Sequence, residues 1–238
     1  MKLMILTTET LHHTFFVKEI KKVHRNIIVL SEKIDNTRIT YNTDHPFEID
    51  RENFETFRWF NGSKAKINDF AETINVTNIN SSITRSLIKK NNPDVIIVFG
   101  TGILKKELLK ICGNRIFNLH GGNPIEYRGL DSHLWSIFHN DFENLITTIH
   151  KVDENLDTGD IVIQDKIPLW PKMKIHELRS SNTEVCVSLT LSLLEMFLIK
   201  GNLQSTKQSK VGKYYTAMPG DLKSLVKSKF EKYINKKF

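Results

Sequence analysis

Short apolar runs of strand length alternate along this chain with segments whose apolar residues recur at helical spacing. At the start, residues 2–7 form an apolar run, and residues 11–23 carry Phe16, Ile20 and Val23 on one helical face. The same alternation predicts strands at 26–30, 74–79, 94–99, 116–120, 145–152 and 161–167, and helices at 50–60, 82–90, 105–110, 130–140 and 175–200. Strands and helices that alternate in this way indicate an α/β fold, with a mostly parallel twisted sheet and helices on both faces.

The most hydrophobic run, residues 94–99, indicates a fully buried strand. Its apolar residues do not alternate with polar ones, which is typical of a parallel strand that is covered on both faces. The last long predicted helix is stopped by Gly201, and the chain beyond it is polar and basic. We therefore predict one main domain over residues 1–201 and a short basic C-terminal appendage over residues 202–238.

Composition narrows the environment of the protein. No apolar run approaches the ~20 residues of a bilayer-spanning helix, and Cys112 and Cys186 show no metal or redox spacing. We therefore expect a cytoplasmic protein without a membrane partner. The net charge of +7 would suit a polyanion, but the basic residues are spread along the chain apart from a cluster after Lys223, so nucleic acid is not the expected partner.

Candidate chemistry is concentrated where the strand at 116–120 ends. Asn118 and His120 lie two positions apart, so their side chains point to the same face of the sheet. Gly121, Gly122 and Pro124 follow and end the strand. Because ligands bind at the carboxyl ends of strands in α/β sheets, this pair marks a candidate site.

A second polar segment lies between the last two predicted strands. It carries four carboxylates within eight positions, Asp153, Glu154, Asp157 and Asp160. This density indicates a metal loop, a turn or a functional site. A calcium loop needs a fuller set of oxygen ligands at fixed spacing, so we expect no metal here.

Together these motifs resemble the folate-dependent formyltransferases, and most closely those acting on nucleotide-linked amino sugars. The resemblance covers about residues 93–168. It is carried by Asn-x-His at 118–120, Tyr-Arg-Gly at 127–129, Thr-x-His at 148–150 and Leu-Asp-x-Gly-x-Ile at 156–161. It implies a Rossmann-like fold and a catalytic set of Asn118, His120 and Asp157. The loop Gly121-Gly122-Asn123-Pro124 departs from the usual family pattern, Gly-Ser-Leu-Leu-Pro.

The implied reaction explains why these residue types are needed. Formyl transfer to an amine passes through a tetrahedral intermediate with a negative oxygen, to which the Asn118 amide can donate. His120, supported by Asp157, can donate to the same oxygen and carry the amine proton to the leaving nitrogen. A Ser-His-Asp hydrolase is the competing interpretation, but the chain has no Gly-x-Ser-x-Gly motif. His150 is interpreted as a packed strand residue outside the catalytic set.

The resemblance also implies 10-formyltetrahydrofolate as the formyl donor. Glycines after the strand at 94–99 let the backbone approach a flat heterocycle, and Ile103 offers it an apolar wall. An ordinary strand-to-helix turn would use the same residues. The residues that we assign to the cofactor site are Gly100, Thr101, Gly102, Ile103, Val152 and Asp153.

The acceptor is inferred from what the chain lacks. Residues 7–13 contain neither a Gly-x-Gly-x-x-Gly turn nor the glycine-rich phosphate loop of purine-pathway relatives. Residues 203–238 are too few for the barrel domain of methionyl-tRNA formyltransferases. We therefore predict a nucleotide-linked amino sugar, of the dTDP- or GDP-linked 4-amino-4,6-dideoxyhexose type, in a homodimeric enzyme. The substrate site is assigned to His12, Tyr127 and Arg128.

Two other hypotheses remain open at this point. A methionyl-tRNA formyltransferase-like enzyme would use the basic tail in place of the missing domain. A non-catalytic relative would bind folate or nucleotide only, although such a protein has no need of Asn118, His120 and Asp157 together.

Overall fold

The computed structural model describes residues 1–33 and 39–238. In these residues the main sheet has seven strands in the order β3-β2-β1-β4-β5-β7-β8, and a small second sheet pairs β6 with β9. The strands are β1 Leu3–Thr8, β2 Ile27–Glu32, β3 Glu72–Val76, β4 Val95–Phe99, β5 Ile116–His120, β6 Tyr127–Gly129, β7 Ile146–Lys151, β8 Ile161–Lys166 and β9 Lys213–Tyr215. The α-helices are α1 Leu11–Val23, α2 Pro46–Phe60, α3 Ser82–Asn91, α4 Lys106–Cys112, α5 Ser132–Phe138, α6 Leu178–Lys200 and α7 Gly220–Lys237.

The sheet is parallel from β3 to β5 and ends in two antiparallel strands. β1 pairs in parallel with β2 and β4, and β4 pairs in parallel with β5. β7 runs antiparallel to β5, and β8 antiparallel to β7. The carboxyl ends of β1, β4 and β5 therefore meet at one edge, where an α/β sheet binds its ligands. The predicted Rossmann-like α/β fold is confirmed.

Helices cover both faces of the sheet because its central strands β1, β4 and β5 are rich in apolar residues and are buried at almost every position. All six residues of β1 are buried. Leu3 and Ile5 belong to the core cluster beneath α1 and α6, whereas Met4 and Leu6 belong to the cluster beneath α3 and α4. Successive strand residues point to opposite faces, so each face of β1 is covered by its own helical layer.

Helix α2 begins earlier than the sequence predicts. It starts at Pro46, and His45 caps it by accepting from the Phe47 N–H while the Glu48 carboxylate accepts from the His45 N–H. Proline at the first helical position is already in helical geometry. Asp50, the first residue of the helix predicted over 50–60, therefore lies one turn inside α2. The polar residues 31–46 also predict a loop, which is wrong in part because β2 extends to Glu32; residues 34–38 of that loop lie outside the described residues.

The third strand was predicted too late in the chain. β3 spans Glu72–Val76 rather than 74–79. Ile79, which suggested the longer strand, is fully buried in the cluster under α3, and its N–H donates to a Glu32 carboxylate oxygen at 2.8 Å. An apolar residue that anchors a loop in the core produced the same pattern as a strand residue.

The C-terminal segment packs against the rest of the fold. β9 lies parallel to β6, pairing Tyr127 with Lys213. The buried Val226, Phe230 and Ile234 of α7 join a third core cluster with residues of α5. The division of the chain at residue 201 remains a prediction, but residues 202–238 contribute to the core.

One helix has the length and composition of a membrane span, the stretch Ile175–Lys200. Polar residues interrupt this stretch, so the expectation from uninterrupted apolar runs did not include it. Its residues Val185, Leu189 and Leu193 are buried in the core cluster that also contains β1 and β4 residues. In this structure it is the central core helix on one face of the sheet.

Candidate active site

The carboxyl end of β5 places the first two candidate side chains side by side. Asn118 is half-buried, and His120 is buried. β4 lies on one side of β5, with Val98 opposite Asn118, and β7 lies on the other, with His150 opposite Asn118. Antiparallel pairing thus brings a second histidine onto the face that the sequence assigned to Asn118 and His120.

Asp157 completes the group from the loop between β7 and β8. It is buried and has a left-handed backbone with φ of 53°. One carboxylate oxygen accepts from the Gly129 N–H at 2.9 Å and lies 3.4 Å from His120 Nδ1. The other accepts from Asn118 Nδ2 at 3.3 Å and lies 3.4 Å from His150 Nε2. The structure therefore brings the predicted catalytic set together.

His150 is a member of this group that sequence reasoning left out. Its Nδ1 donates to the Lys151 carbonyl at 2.7 Å, and its Nε2 lies 3.1 Å from Asn118 Nδ2. The signal was available in the Thr-x-His pattern of β7. It became decisive only with the antiparallel register, which cannot be read from β7 alone.

Burial sets the electrostatics of the group. Burial lowers the pKa of His120, Asp157 opposes this effect, and His150 lowers that pKa further. Burial would raise the pKa of Asp157, but His120, His150 and the Gly129 N–H together hold it well below its usual range. Asp157 is therefore a buried carboxylate that stays ionised between two imidazoles.

The second nitrogen of His120 is also engaged. His120 Nε2 donates to the Tyr127 carbonyl at 2.8 Å, and the Ser132 hydroxyl lies 3.4 Å from the same nitrogen. Both ring nitrogens thus face acceptors, so the imidazolium form can be satisfied at both. For Nε2 to reach a substrate, it must exchange the Tyr127 carbonyl for the reacting group.

The predicted cofactor residues lie on two arms that flank β5. The first arm, Gly100 to Ile103, follows β4, and Ile103 is 55% exposed. Gly100 has φ of 81°, and a Cβ there would lie 2.5 Å from the His13 ring. The Gly102 N–H is already bonded to Glu32 at 2.7 Å. Thr101 donates to the Gly102 carbonyl at 3.1 Å.

The second arm carries Val152 and Asp153. Val152 packs against the core cluster that contains Leu104 and Leu108, so this arm folds back towards the first. Asp153 accepts from the Thr158 hydroxyl at 2.7 Å and from the Asn155 N–H at 3.0 Å, which uses its carboxylate within its own turn. Exposed Ile103 and the glycine backbone fit a flat heterocycle, whereas the Asp153 carboxylate is committed elsewhere.

The predicted substrate residues are placed differently from one another. His12 lies in the first turn of α1, where its Nδ1 is 2.9 Å from the Thr10 hydroxyl. Tyr127 is buried, and its hydroxyl donates to Asp141 at 2.9 Å. Arg128 donates to the Gly212 carbonyl at 2.7 Å and to the Leu156 carbonyl at 3.0 Å. The latter two side chains anchor the loop, and their role as substrate ligands stays a prediction.

Two cavities are large enough for a substrate. One of about 760 Å³ lies between the start of α1, α2 and α6, and sequence reasoning missed its residues Arg51 and Arg179. The other, of about 920 Å³, lies at the opposite edge of the sheet beside Asp94, Arg115 and Lys151. Neither cavity is lined by a residue that the sequence assigned to the site. In residues 1–33 and 39–238, no group of three or more His, Cys, Asp or Glu residues is arranged to hold a metal ion.

Comparison with known proteins identifies the class to which this fold and site belong. The family model described as formyl transferase matches residues 51–191. The chain therefore belongs to the formyl transferase family, as the motifs predict.

The curated relatives are similar to this chain over about half of its length. The methionyl-tRNA formyltransferase of Finegoldia magna is 35% identical over 108 residues, which cover 45% of this chain and 34% of the relative. That of Clostridium acetobutylicum is 32% identical over 132 residues, which cover 55% of this chain and 42% of the relative. The chain thus spans well under half the length of these relatives.

The solved structures are similar over most of the chain. A sugar N-formyltransferase from a Shewanella species has a TM-score of 0.61 at 16% identity, covering 94% of this chain and 80% of its own. An N-formyltransferase from Helicobacter canadensis in complex with folinic acid and dTDP-3-aminofucose has a TM-score of 0.60 at 17% identity, covering 91% and 71%. HypX from Aquifex aeolicus with tetrahydrofolic acid has a TM-score of 0.58 at 18% identity, covering 93% and 30%. At these identities the likeness shows the fold.

Proposed function

We propose that this chain transfers a formyl group from 10-formyltetrahydrofolate to the amine of a nucleotide-linked amino sugar. The observation that carries the reaction type is the convergence of Asn118, His120 and Asp157 at the carboxyl end of β5, in a member of the formyl transferase family. A binding protein would have no use for a buried ionised carboxylate held against an amide and two imidazoles.

The proposed reaction needs no covalent bond to the enzyme. The acceptor nitrogen forms a bond to the formyl carbon, and the bond from that carbon to the folate nitrogen then breaks. Asn118 Nδ2 donates to the negative oxygen of the intermediate, and loss of such a donor costs about 3 kcal/mol of transition-state stabilisation. His120 takes the proton that the attacking amine loses and delivers it to the leaving nitrogen. Asp157 stabilises the imidazolium that exists between these two steps.

His150 acts as a positioning residue in this scheme. Its Nε2 accepts from the same Asn118 Nδ2 that would turn towards the oxyanion, and it faces the same carboxylate as His120. The two contacts fix the plane of the Asn118 amide. Because the amide has two N–H donors, one can remain on Asp157 while the other moves from His150 to the substrate oxygen.

The formyl donor is assigned to the two arms that flank β5. Gly100, Thr101, Gly102 and Ile103 would contact one face of the pterin, and Val152 with the backbone at Asp153 would contact the other. The Shewanella and Helicobacter proteins share the fold over most of this chain, and the Helicobacter structure contains folinic acid. The donor supplies the activated formyl carbon, and the protein positions the two reactants and protonates the leaving nitrogen.

The sugar acceptor is favoured by structural likeness along most of the chain, since the Helicobacter neighbour is described with dTDP-3-aminofucose. A methionyl-tRNA acceptor is the second candidate, because the Finegoldia magna and Clostridium acetobutylicum relatives are methionyl-tRNA formyltransferases. The proposal includes a cytoplasmic location and a homodimer. Light scattering on the purified protein tests the homodimer.

The deciding experiment incubates the protein with 10-formyltetrahydrofolate and, separately, a panel of nucleotide-linked amino sugars and methionyl-tRNA. A mass gain of one formyl group identifies the acceptor. His120→Ala and Asn118→Ala should each lower the rate by about two to three orders of magnitude, whereas His24→Ala, at the end of α1, should not. Unreduced transfer by His120→Ala would remove the mechanism.

A further inference from the structure

Two arginines from different helices face the same cavity. Arg51 lies on α2, Arg179 follows the first residue of α6, and both line the cavity of about 760 Å³ together with Thr10 and Leu11. Arg179 is held by Glu55, which is fully buried and accepts from Nε at 2.7 Å and from Nη2 at 2.5 Å. This bidentate pair fixes one guanidinium at the wall of the cavity.

Arg51 has most of its hydrogen-bonding capacity unused. A guanidinium has five N–H donors, but among the described residues Arg51 makes one side-chain contact, from Nη2 to Glu48 at 3.4 Å. Its Nε is buried without a partner in the part of the chain that the structure describes. Glu48 also accepts from the buried Lys223 at 2.9 Å, so its charge is shared and only weakly offsets that of Arg51.

The arrangement is electrostatically unfavourable in the free protein. Burial lowers the pKa of Arg51, and the neighbouring Arg179 lowers it further, although Glu48 and Glu55 oppose the effect. Asp44 and Glu52 also line the cavity but are exposed, so water and salt screen their charges more strongly than those of the arginines. Two partly buried guanidiniums with free donors suit an anion with several oxygens, since their planar forks match phosphate geometry.

The turn of α6 that follows Arg179 lies close to the end of the catalytic strand. Asn182 lies one helical turn after Arg179, about 4.5 Å along the axis of α6. Its Oδ1 accepts from Thr147 at 2.5 Å, and its Nδ2 lies 3.4 Å from where a Cβ of Gly121 would be. Gly121 directly follows His120. A ligand held by the arginines could therefore extend along this wall to the reacting atoms.

The opposite wall of this route is formed by the β1–α1 connection. The Thr10 hydroxyl lies 2.9 Å from His12 Nδ1 and 3.0 Å from His13 Nδ1. The His13 ring packs edge-on against Phe99 with centroids 4.5 Å apart, at the end of the strand next to β5. Asn182 and the β1–α1 connection thus link the surroundings of the arginines to the ends of β4 and β5, next to Asn118 and His120.

We propose that Arg51 and Arg179 bind a phosphoryl group of the amine acceptor, a role that rests on the proposed formyl transfer. In a nucleotide-linked amino sugar the amine lies across the sugar ring from the diphosphate, so the arginines hold one end while the amine reaches His120. A phosphodiester near the 3′ end of a tRNA presents the same chemistry, and the test separates these two sources.

The test measures binding of dTDP, UDP and GDP by calorimetry, and of methionyl-tRNA by filter retention. Arg51→Gln should lower the affinity for the phosphoryl ligand by about 10- to 100-fold, the loss expected for a charged hydrogen-bonded contact. Arg51→Lys should lower that affinity by a smaller factor. Arg58→Gln is the matched control, because Arg58 lies on the same helix and pairs with Glu184 outside the cavity. Arg179 is not the first target, since its loss would leave buried Glu55 unpaired.

Two further readouts separate binding from folding. The melting temperature of free Arg51→Gln should equal or exceed that of the wild type, because the change relieves repulsion between two cations. The affinity for tetrahydrofolate should be unchanged. A melting temperature that falls, with equal loss of affinity for tetrahydrofolate, would show a structural role and overturn the proposal.

The outcomes distinguish this inference from the proposed function. Weakening confined to tRNA keeps the phosphoryl site and assigns it to a tRNA acceptor. Diphosphate binding that depends on Arg51 in a protein without formyl transfer keeps the site and rejects the enzymatic proposal. Formyl transfer whose KM for the acceptor is the same in Arg51→Gln and wild type overturns the inference, as does a wild type that binds neither ligand.

Discussion

Replacing Asp157 by asparagine removes one charge from the centre of the site while leaving the shape of the side chain unchanged. The asparagine oxygen can still accept from the Gly129 N–H, which lies 2.9 Å from the carboxylate in the wild type. Its NH2 group can then donate to His150 Nε2, 3.4 Å from the other carboxylate oxygen. Only the Asn118 contact loses its acceptor, so the cost in stability is about 1 kcal/mol.

The cost to catalysis is larger because His120 must carry a proton during the reaction. At the 3.4 Å that separates His120 Nδ1 from Asp157, a full charge pair is worth about 5 kcal/mol at an effective dielectric constant of ~20. Part of this energy is recovered by relaxation of the site. We expect a rate reduced by about two to three orders of magnitude, or roughly 3–4 kcal/mol of barrier.

The assay follows release of tetrahydrofolate at saturating donor and acceptor, with circular dichroism to confirm that the variant is folded. Asp160→Asn is the control, since Asp160 belongs to the same loop but bonds to Ser205 at 3.3 Å rather than to a histidine. A folded Asp157→Asn protein that retains a rate within about threefold of the wild type would refute the view that this carboxylate supports the His120 imidazolium.

Further outcomes concern stability. Burial lowers the pKa of His13 and of His133 to about 3, below the ~6.5 of an unfolded chain. Their stabilising contribution is therefore present above pH ~6.5 and is lost on acidification. The free energy of unfolding in urea should be about 2–3 kcal/mol lower at pH 5.5 than at pH 7.5, and an equal value at the two pH values would contradict this. Gly159→Ala should lose about 1–3 kcal/mol in the same assay, because its Cβ would lie 1.8 Å from the Lys151 carbonyl oxygen. Phe230→Ala should lose about 3–5 kcal/mol, since Phe230 is fully buried; a loss below 1 kcal/mol would make residues 202–238 a dispensable appendage.

The sheet was accessible from the sequence because its strands are apolar and are punctuated by clear breakers. Residues 94–99 and 161–167 were assigned from pattern, and β4 and β8 lie there. Where prediction was wrong, a local signal had two meanings. Ile79 has the apolar character of a strand residue but anchors a loop, and His45 caps α2 with a side chain that is seldom read as a cap.

The site was accessible only as far as its residues belong to one strand or one motif. The Asn118 and His120 pair follows from strand alternation, and Asp157 from the family motif. His150 needed the antiparallel register of β7. Arg51 and Arg179 needed the packing of α2 against the start of α6, and they lie far apart in the chain, so no local pattern links them.

The pairing of β6 with β9 makes the catalytic loop dependent on distant sequence. The Tyr127 carbonyl accepts from His120, and Tyr127 pairs with Lys213 of β9. Lys213 lies outside residues 51–191, which the family model matches. During synthesis, the strand that carries His120 leaves the ribosome well before β9 does. The imidazole therefore acquires its final surroundings only when the tail has docked, so the geometry of the catalytic histidine depends on a segment that the family match does not include.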